Sequence, residues 1–300
     1  MHLAFSVDSS LRNFSRKDAD AVVALSRHAL MRPEENLGNP VWTTAGDLEA
    51  ELGDWDPPAE ETLCVAEDNG DVVGFGGVEL PHDFAHAELF GPLVDRAHQG
   101  QRLGTSLLDA SVETARERKA DSVIAAVGTH NAAARVLLER AGFMRKGTPQ
   151  ATYRLRPREH RGAPEPPSGV DVRQGRVEDL GEVLALYNEC FPEGRFPEKV
   201  WRASIEDGGV YVAEADGRPT AVLNIDPHDR WIYHVGVTES ERSRGVGGYL
   251  LSRALQDYWS THPGETLGLD VAADNVPAIR LYRRQGFAPW LVLQTYELTL

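Results

Sequence analysis

Apolar positions along this chain change their period in an order that occurs twice. Residues 18–29 and 177–190 carry apolar side chains at three- and four-residue spacing, which predicts an amphipathic helix in each. Each helix is followed by an apolar run that closes on an Asn/Asp-Gly pair, the signature of a hairpin: Leu63-Cys64-Val65-Ala66-Glu67-Asp68-Asn69-Gly70 and Val210-Tyr211-Val212-Ala213-Glu214-Ala215-Asp216-Gly217. Next come an apolar strand (87–94; 231–237), a Gly-containing turn and a helix (103–119; 246–259). A further strand (122–127; 266–271), a short helix ending at Gly-Phe and a last strand complete each half. Strands alternating with helices around one core predict α/β (α+β) domains.

The correspondence is residue by residue. Val65 and Val212 lie 147 positions apart, Asn131 and Asn275 lie 144 apart, and Thr152 and Thr295 lie 143 apart, with the order never scrambled. Between the halves, residues 157–169 include Gly162-Ala163-Pro164-Glu165-Pro166-Pro167-Ser168-Gly169, a polar Pro-rich stretch that reads as a stiff linker. The expected domains are therefore 1–156 and 170–300.

Strand 231–237 runs into Arg242-Ser243-Arg244-Gly245-Val246-Gly247-Gly248, and the helix begins there. Glycines let a backbone approach a ligand closely, and a helix start offers unpaired N–H groups and partial positive charge. Together they predict an anion cradle. It is not a nucleotide P-loop, which needs Gly-Lys-Ser/Thr, and Leu250 stands where the dinucleotide fingerprint needs its third glycine. About thirty residues on, Asn275-x-x-Ala278-x-x-Leu281-Tyr282-x-x-x-Gly286-Phe287 places Ala278, Leu281 and Tyr282 on one helical face.

The loop pattern R/Q-x-x-G-x-G/A followed by this segment resembles the coenzyme A site of the GNAT superfamily of acetyltransferases, and the resemblance covers most of both halves. The tandem layout is similar to that of mycothiol synthase. The resemblance implies two tandem GNAT folds, each a mixed twisted sheet flanked by helices, with acetyl-CoA as co-substrate. It implies that Val235, Gly236 and Val237 would pair with the pantetheine arm. Arg242, Ser243, Arg244, Gly245, Val246, Gly247 and Gly248 would hold the pyrophosphate, Asn275 would contact the coenzyme, and Tyr282 would protonate the leaving thiolate. The strand position that often holds a Glu or His base is Trp231, which cannot act as one. By strand parity Tyr233 and Val235 share the Trp231 face and His234 points away unless a bulge re-aims it, so Tyr233, or a base acting through water, is the expected base.

The first half departs from the pattern differently. Leu93 and Val94 lead into Gln99-Gly100-Gln101-Arg102-Leu103-Gly104, where Arg102 replaces a loop glycine, and Leu138 stands at the Tyr position. Glu88 occupies the usual base position. These departures predict a half that is mainly scaffold, with a weakened coenzyme loop and Glu88 as its one candidate catalytic group. The main alternative to an enzyme is an idle acyl-CoA-binding sensor.

Composition narrows the partners. The chain has 300 residues and a net charge of −15, which argues against nucleic-acid and anionic-membrane binding and suits a cationic amine acceptor. The acceptor is expected to be a small-molecule amine or a protein N-terminus, and the protein a monomer or homodimer. With only Lys17, Lys119, Lys146 and Lys199 against many Arg, Ala, Gly and Asp residues, the composition suggests a GC-rich bacterial genome. No membrane span and no secretory start are evident in the sequence, so a cytoplasmic location is expected. Cys64 and Cys190 are expected to be half-buried thiols, and nothing suggests a metal site.

Overall fold

The repeat read from the sequence returns as two units with the same succession of elements. The structure, a computed structural model, describes residues 10–32, 35–53, 55–80, 85–162, 164–192, 194 and 196–300. Residues 1–9, where a secretory start was sought, and Ala163 of the expected linker lie outside them. In the first half the elements are β1 (Ser10–Asn13), α1 (Ala19–Leu30), α2 (Ala45–Leu52), α3 (Ala59–Thr62), β2 (Leu63–Asp68), β3 (Asp71–Glu79), β4 (His86–Val94), α4 (Leu103–Glu117), β5 (Ser122–Gly128), α5 (Ala132–Arg140) and β6 (Met144–Leu155). The second half continues with β7 (Val170–Gln174), α6 (Leu180–Cys190), α7 (Glu198–Glu206), β8 (Val210–Ala215), β9 (Arg218–Asp226), β10 (Trp231–Val237), α8 (Val246–Thr261), β11 (Leu267–Ala272), α9 (Val276–Gln285) and β12 (Ala288–Thr299).

Strand pairing sets the bounds of the units: residues 1–149 with 291–300 form one, and residues 150–290 form the other. In the first, β1 to β4 pair antiparallel in sequence order and β5 lies parallel to β4. The last segment of the chain closes that sheet, with Leu293 opposite Gly128 and Thr299 opposite Ser122. In the second, β7 to β10 pair antiparallel and β11 is parallel to β10. Residues 150–155 of β6 close it, with Leu155 opposite Leu267 and Gln150 opposite Ala272. The Pro-rich stretch packs within the second unit: the His160 ring lies 3.1 Å from both Gln285 Oε1 and Ser252 Oγ, and the Arg161 N–H donates to the Gln285 carbonyl at 3.2 Å.

Side chains carry the duplication too. Arg12 bridges Asp18 at 2.7 Å and Glu67 at 2.6 Å, and Arg173 bridges Asp179 at 2.6 Å and Glu214 at 2.6 Å. Each clamp ties the first strand of its unit to the turn before the first helix, and the guanidinium holds Asp18 and Asp179 below the ordinary aspartate range. Cores form where helix faces meet the sheet. In the first unit Val22, Trp42, Leu48 and Phe75 are fully enclosed, and in the second Val183, Trp201, Val210 and Val222 are.

The helix ends follow local chemistry. Asn131 and Asn275 each cap a helix by accepting from an N–H three residues on, at 2.9 and 3.2 Å. Gly142 and Gly286 then stop α5 and α9 with φ of 92° and 106°, conformations that favour glycine.

Candidate active site

In the second unit β10 and β11 pair at only two positions, Trp231 opposite Gly268 and Ile232 opposite Leu269. From Tyr233 and Asp270 onward the strands separate, so their facing edges have no strand partner. The mouth of this fork is shaped by a bulge: Ile232 lies opposite Ile225 and His234 opposite Asn224, leaving Tyr233 as the extra residue. The bulge corrects the parity expectation. The ring of His234 lies 4.9 Å from that of Tyr187 and 5.4 Å from that of Phe191, and a Cβ on Gly236 would meet Cys190 of α6, so both face α6. Val237 faces α8, where its side chain would sit 3.1 Å from a Cβ on Gly247, and Val235 shares that side rather than the Trp231 side.

The fork runs into the glycine loop. Ser243 and Gly245 both take left-handed φ, 65° and 90°, and α8 begins at the next residue. The Tyr249 N–H is the first to find a helical carbonyl, that of Gly245, so the N–H groups of Val246, Gly247 and Gly248 precede the helical ladder. The two arginines of the loop are engaged by the protein. Arg242 Nε donates to the Val237 carbonyl at 3.1 Å, fastening the loop to the strand end, and Arg244 donates to both carboxylate oxygens of Glu241 at 2.8 and 2.9 Å. Asn275 caps α9 with its oxygen, and its amide nitrogen donates to no described residue. Tyr282 is 7% exposed, with its ring edge-on to Phe287 and its hydroxyl bonded to no described residue.

The first unit keeps the loop but not the open fork. Gly100 and Arg102 have φ of 79° and 66°, the same pair of left-handed residues at matching positions, and α4 starts at Leu103. Arg102 therefore takes the left-handed conformation of the loop glycine it replaces. Gln99 Nε2 donates to the Val94 carbonyl at 3.1 Å, as Arg242 does to Val237. The β4–β5 pairing ends at Glu88 opposite Ile124, and past that point residues 36–39 lie between the strands. Glu88 accepts from the Asn39 amide at 2.9 Å, and burial raises its pKa. Leu138 is core, 2% exposed.

The model of the family described as Acetyltransferase (GNAT) family matches residues 28–143 and again 180–287. The chain belongs to the GNAT acetyltransferase family. It is 30% identical over 250 residues to a mycothiol acetyltransferase of Clavibacter sepedonicus, covering 75% of this chain and 77% of that protein. A mycothiol acetyltransferase of Saccharomonospora viridis is 28% identical over 92% of this chain and 96% of its own length. Among solved structures, a GCN5-related N-acetyltransferase from Sphaerobacter thermophilus superposes with a TM-score of 0.78 at 19% identity, covering 97% of this chain and 95% of that one. A tandem GNAT protein from the clavulanic acid biosynthesis pathway superposes with a TM-score of 0.66 at 18% identity, covering 97% and 98%. The fold is thus the tandem GNAT fold, and the enzyme is an acetyl-CoA-dependent N-acetyltransferase.

The second unit fits that co-substrate: an unpaired strand edge suits a peptide-like arm, and a ring of unpaired N–H groups suits a pyrophosphate. The GNAT fork also shows which acid–base groups stand near its mouth. The Tyr233 hydroxyl donates to Asp229, and burial and nearby Asp229, Asp226 and Asp270 raise its pKa. Asp270 is the first β11 residue past the last pair, and its charge acts on the Tyr233 hydroxyl. Burial raises its pKa, and the Thr152 hydroxyl donates to it. Sequence reasoning passed over Asp270, although a single carboxylate in the apolar strand Leu267-Gly268-Leu269-Asp270-Val271-Ala272 was a legible signal.

His234 is enclosed by Tyr187, Phe191, Phe196 and Trp201, and burial lowers its pKa to about 4. Its Nδ1, Trp201 Nε1 and Asn224 Oδ1 are buried without partners among the described residues. The unfolded chain binds a proton on this histidine near pH 6.5 and the folded chain only near pH 4, so the native state loses stability as pH falls between the two. The loss is on the order of 2 kcal/mol, after a discount for partial solvent access. Urea midpoints measured at pH 4.5 and 7.5 are expected to converge in His234→Phe relative to the unsubstituted protein; equal spread in both would show that His234 does not titrate on unfolding.

Proposed function

We propose that the chain acetylates a primary amine at the fork of the second unit, and that the first unit contributes structure rather than a second active site. The open fork between β10 and β11, running into the left-handed loop at Ser243 and Gly245, carries this reading, because the corresponding fork of the first unit is filled. Acetyl-CoA supplies the acyl group as an activated thioester. The unpaired edge of Val235, Gly236 and Val237 would align its arm, and the N–H groups from Ser243 to Gly248 would hold its phosphates. The amide of Asn275 would add a donor. An N–H on the unpaired β10 edge near Val235 would stabilise charge developing on the carbonyl oxygen.

As the acceptor nitrogen bonds to the acyl carbon and the carbon–sulfur bond breaks, the sulfur takes the Tyr282 proton and the amine gives its own to Asp270, directly or through one water. Burial pushes the Tyr282 hydroxyl up to about 12, so it arrives protonated at neutral pH. The raised pKa of Asp270 makes it a stronger base than an aspartate of ordinary pKa. Asp270→Asn is expected to lower kcat by roughly 10²–10³. It is also expected to remove the acid limb of the pH–rate profile, which in the unsubstituted enzyme falls as pH drops through the carboxyl's raised pKa. An unchanged acid limb would take Asp270 out of the proton path.

The acceptor is best sought among small amines and peptide N-termini. The mycothiol acetyltransferase relatives favour a thiol-precursor amine, and an N-alpha-acetyltransferase of Sulfurisphaera tokodaii, 25% identical over 143 residues, favours an N-terminus. Trp231, where many GNAT strands carry a carboxylate, weighs against a close copy of either. Release of free thiol from acetyl-CoA with a panel of cysteinyl amines, polyamines, aminoglycosides and N-terminal peptides tests the reading. Coenzyme binding without thiol release on every amine would make the protein a sensor instead.

A further inference from the structure

The fork of the first unit has a tenant. The Gly91 N–H of β4 donates to the Asn39 carbonyl at 3.0 Å, the Gly38 N–H donates to the Ala126 carbonyl of β5 at 2.7 Å, and the Gly128 N–H donates to the Asn36 carbonyl at 3.0 Å. One short segment thus bonds through its backbone to both arms of the fork, and Leu37 forms an antiparallel bridge with Val127. The Leu37 side chain is 6% exposed and lies in the cluster that includes Leu89, Leu93 and Val127. Two side chains latch the segment: Asn39 donates to Glu88 at 2.9 Å, and Asn131 donates to the Asn36 carbonyl at 3.2 Å. Asn131 is the repeat partner of Asn275, whose amide nitrogen donates to no described residue.

The length of chain explains why only one unit has this tenant. Fourteen residues, 31–44, connect α1 to α2, whereas seven, 191–197, connect α6 to α7. The extra seven are enough to reach into the fork and return. Among the described residues, no backbone group of another segment bonds to the open edges of β10 and β11 in the second unit.

We infer that residues 36–39 are a built-in occupant of the first unit's fork, standing in for the amide-bearing arm of an acyl-CoA, so that this fork is a thioester site shut by its own chain. The inference rests on the reading that the second unit's fork takes such an arm. Peptide groups and pantetheine amides present the same donors and acceptors, so a covalently tethered segment competes at high effective concentration with a free ligand for the same strand edges. The loop behind the fork, with its left-handed Gly100 and Arg102, keeps the shape of the second unit's loop.

Hydrogen exchange at single amides, with coenzyme equivalents counted by calorimetry on the full chain, tests this. With saturating acetyl-CoA the unsubstituted protein is expected to bind one equivalent, with unchanged exchange at Gly38, Gly91 and Gly128. Slowing of the 235–237 amides reads the second unit separately; its absence would count against that unit's assignment and leave the result at Gly91 and Gly128 to stand by itself. The double variant Leu37→Asp/Asn39→Ala, which drives a carboxylate out of the apolar cluster and removes a latch, is expected to speed exchange at Gly91 and Gly128 at least tenfold and to bind a second equivalent. Asn39→Ala alone, a milder change, is expected to show the same direction at Gly91. Two equivalents in the unsubstituted protein, or a freed Gly91 amide without a second equivalent in either variant, would overturn the inference.

Discussion

Gly245→Glu abolishes acetyl-CoA binding and turnover, whereas Gly100→Glu leaves both within a factor of about two: that is the expected outcome of placing one carboxylate at a left-handed glycine of each loop, directly before α8 in one and two residues further from α4 in the other. Both glycines have left-handed φ, 90° and 79°, so either substitution forces a side chain into a conformation costing about 1 kcal/mol. Neither meets a steric barrier. Nothing lies within 4 Å of a Cβ on Gly100, and the nearest atom to a Cβ on Gly245 is 3.7 Å away, on Pro167. The two variants therefore share a similar folding penalty and differ in what the new charge faces. At Gly245 it stands directly before the N–H groups of Val246, Gly247 and Gly248, and an anion there repels a ligand phosphate. At Gly100 it sits beside a fork already filled by residues 36–39. Calorimetric titration with acetyl-CoA, beside thermal melts to show that both variants fold, decides between the units. Loss of binding in Gly100→Glu with retention in Gly245→Glu would move the active site to the first unit and make Glu88 the base to study.

Tyr282→Phe is expected to lower kcat by roughly 10²–10⁴ with little change in the affinity for acetyl-CoA. The ring is almost wholly enclosed, and the phenylalanine that replaces it keeps the same edge-on contact with Phe287. Because the hydroxyl bonds to no described residue, its removal strands no protein donor or acceptor, and thermal stability should change by less than about 1 kcal/mol. The effect then belongs to proton delivery. A leaving thiolate without a donor is the poorer leaving group, so the loss should shrink for acyl donors whose thiol has a lower pKa. Pre-steady-state measurement of thiol release with such donors separates this from a binding defect. Unchanged kcat would leave the ring with a packing role, as Leu138 has at the matching place in the first unit, where it is 2% exposed.

The repeat, the loop and the Asn-to-Gly-Phe segment were legible because each is local: a cap, a turn or a helix face is written in adjacent residues. What escaped depends on residues far apart. The bulge at Tyr233 is a mismatch between β9 and β10, so parity counted along β10 alone assigns His234 and Val235 to the wrong faces. The tenant of the first fork has no period of its own, since residues 36–39 are shaped by two separated strands rather than by their own sequence. The bounds of the units escaped for another reason. β6 and β12 both end in apolar alternation around Thr-Tyr, at Thr152-Tyr153 and Thr295-Tyr296, so pattern alone does not say which sheet each joins. Asp270 is different again: it is a lone carboxylate in an apolar strand, but that strand is β11, whereas the resemblance points to β10 for a base.

The closing strand of the first unit has a consequence for synthesis. Residues 293–299 pair with β5, so that sheet stays one strand short until they have left the ribosome, by which point residues 150–290 of the second unit are already made. Until then the nascent first unit exposes the edge of β5, where backbone N–H and C=O groups invite pairing with any passing strand. The order of maturation is therefore the reverse of the order of translation. Termination before residue 293 would leave unfinished the half of the protein that was made first.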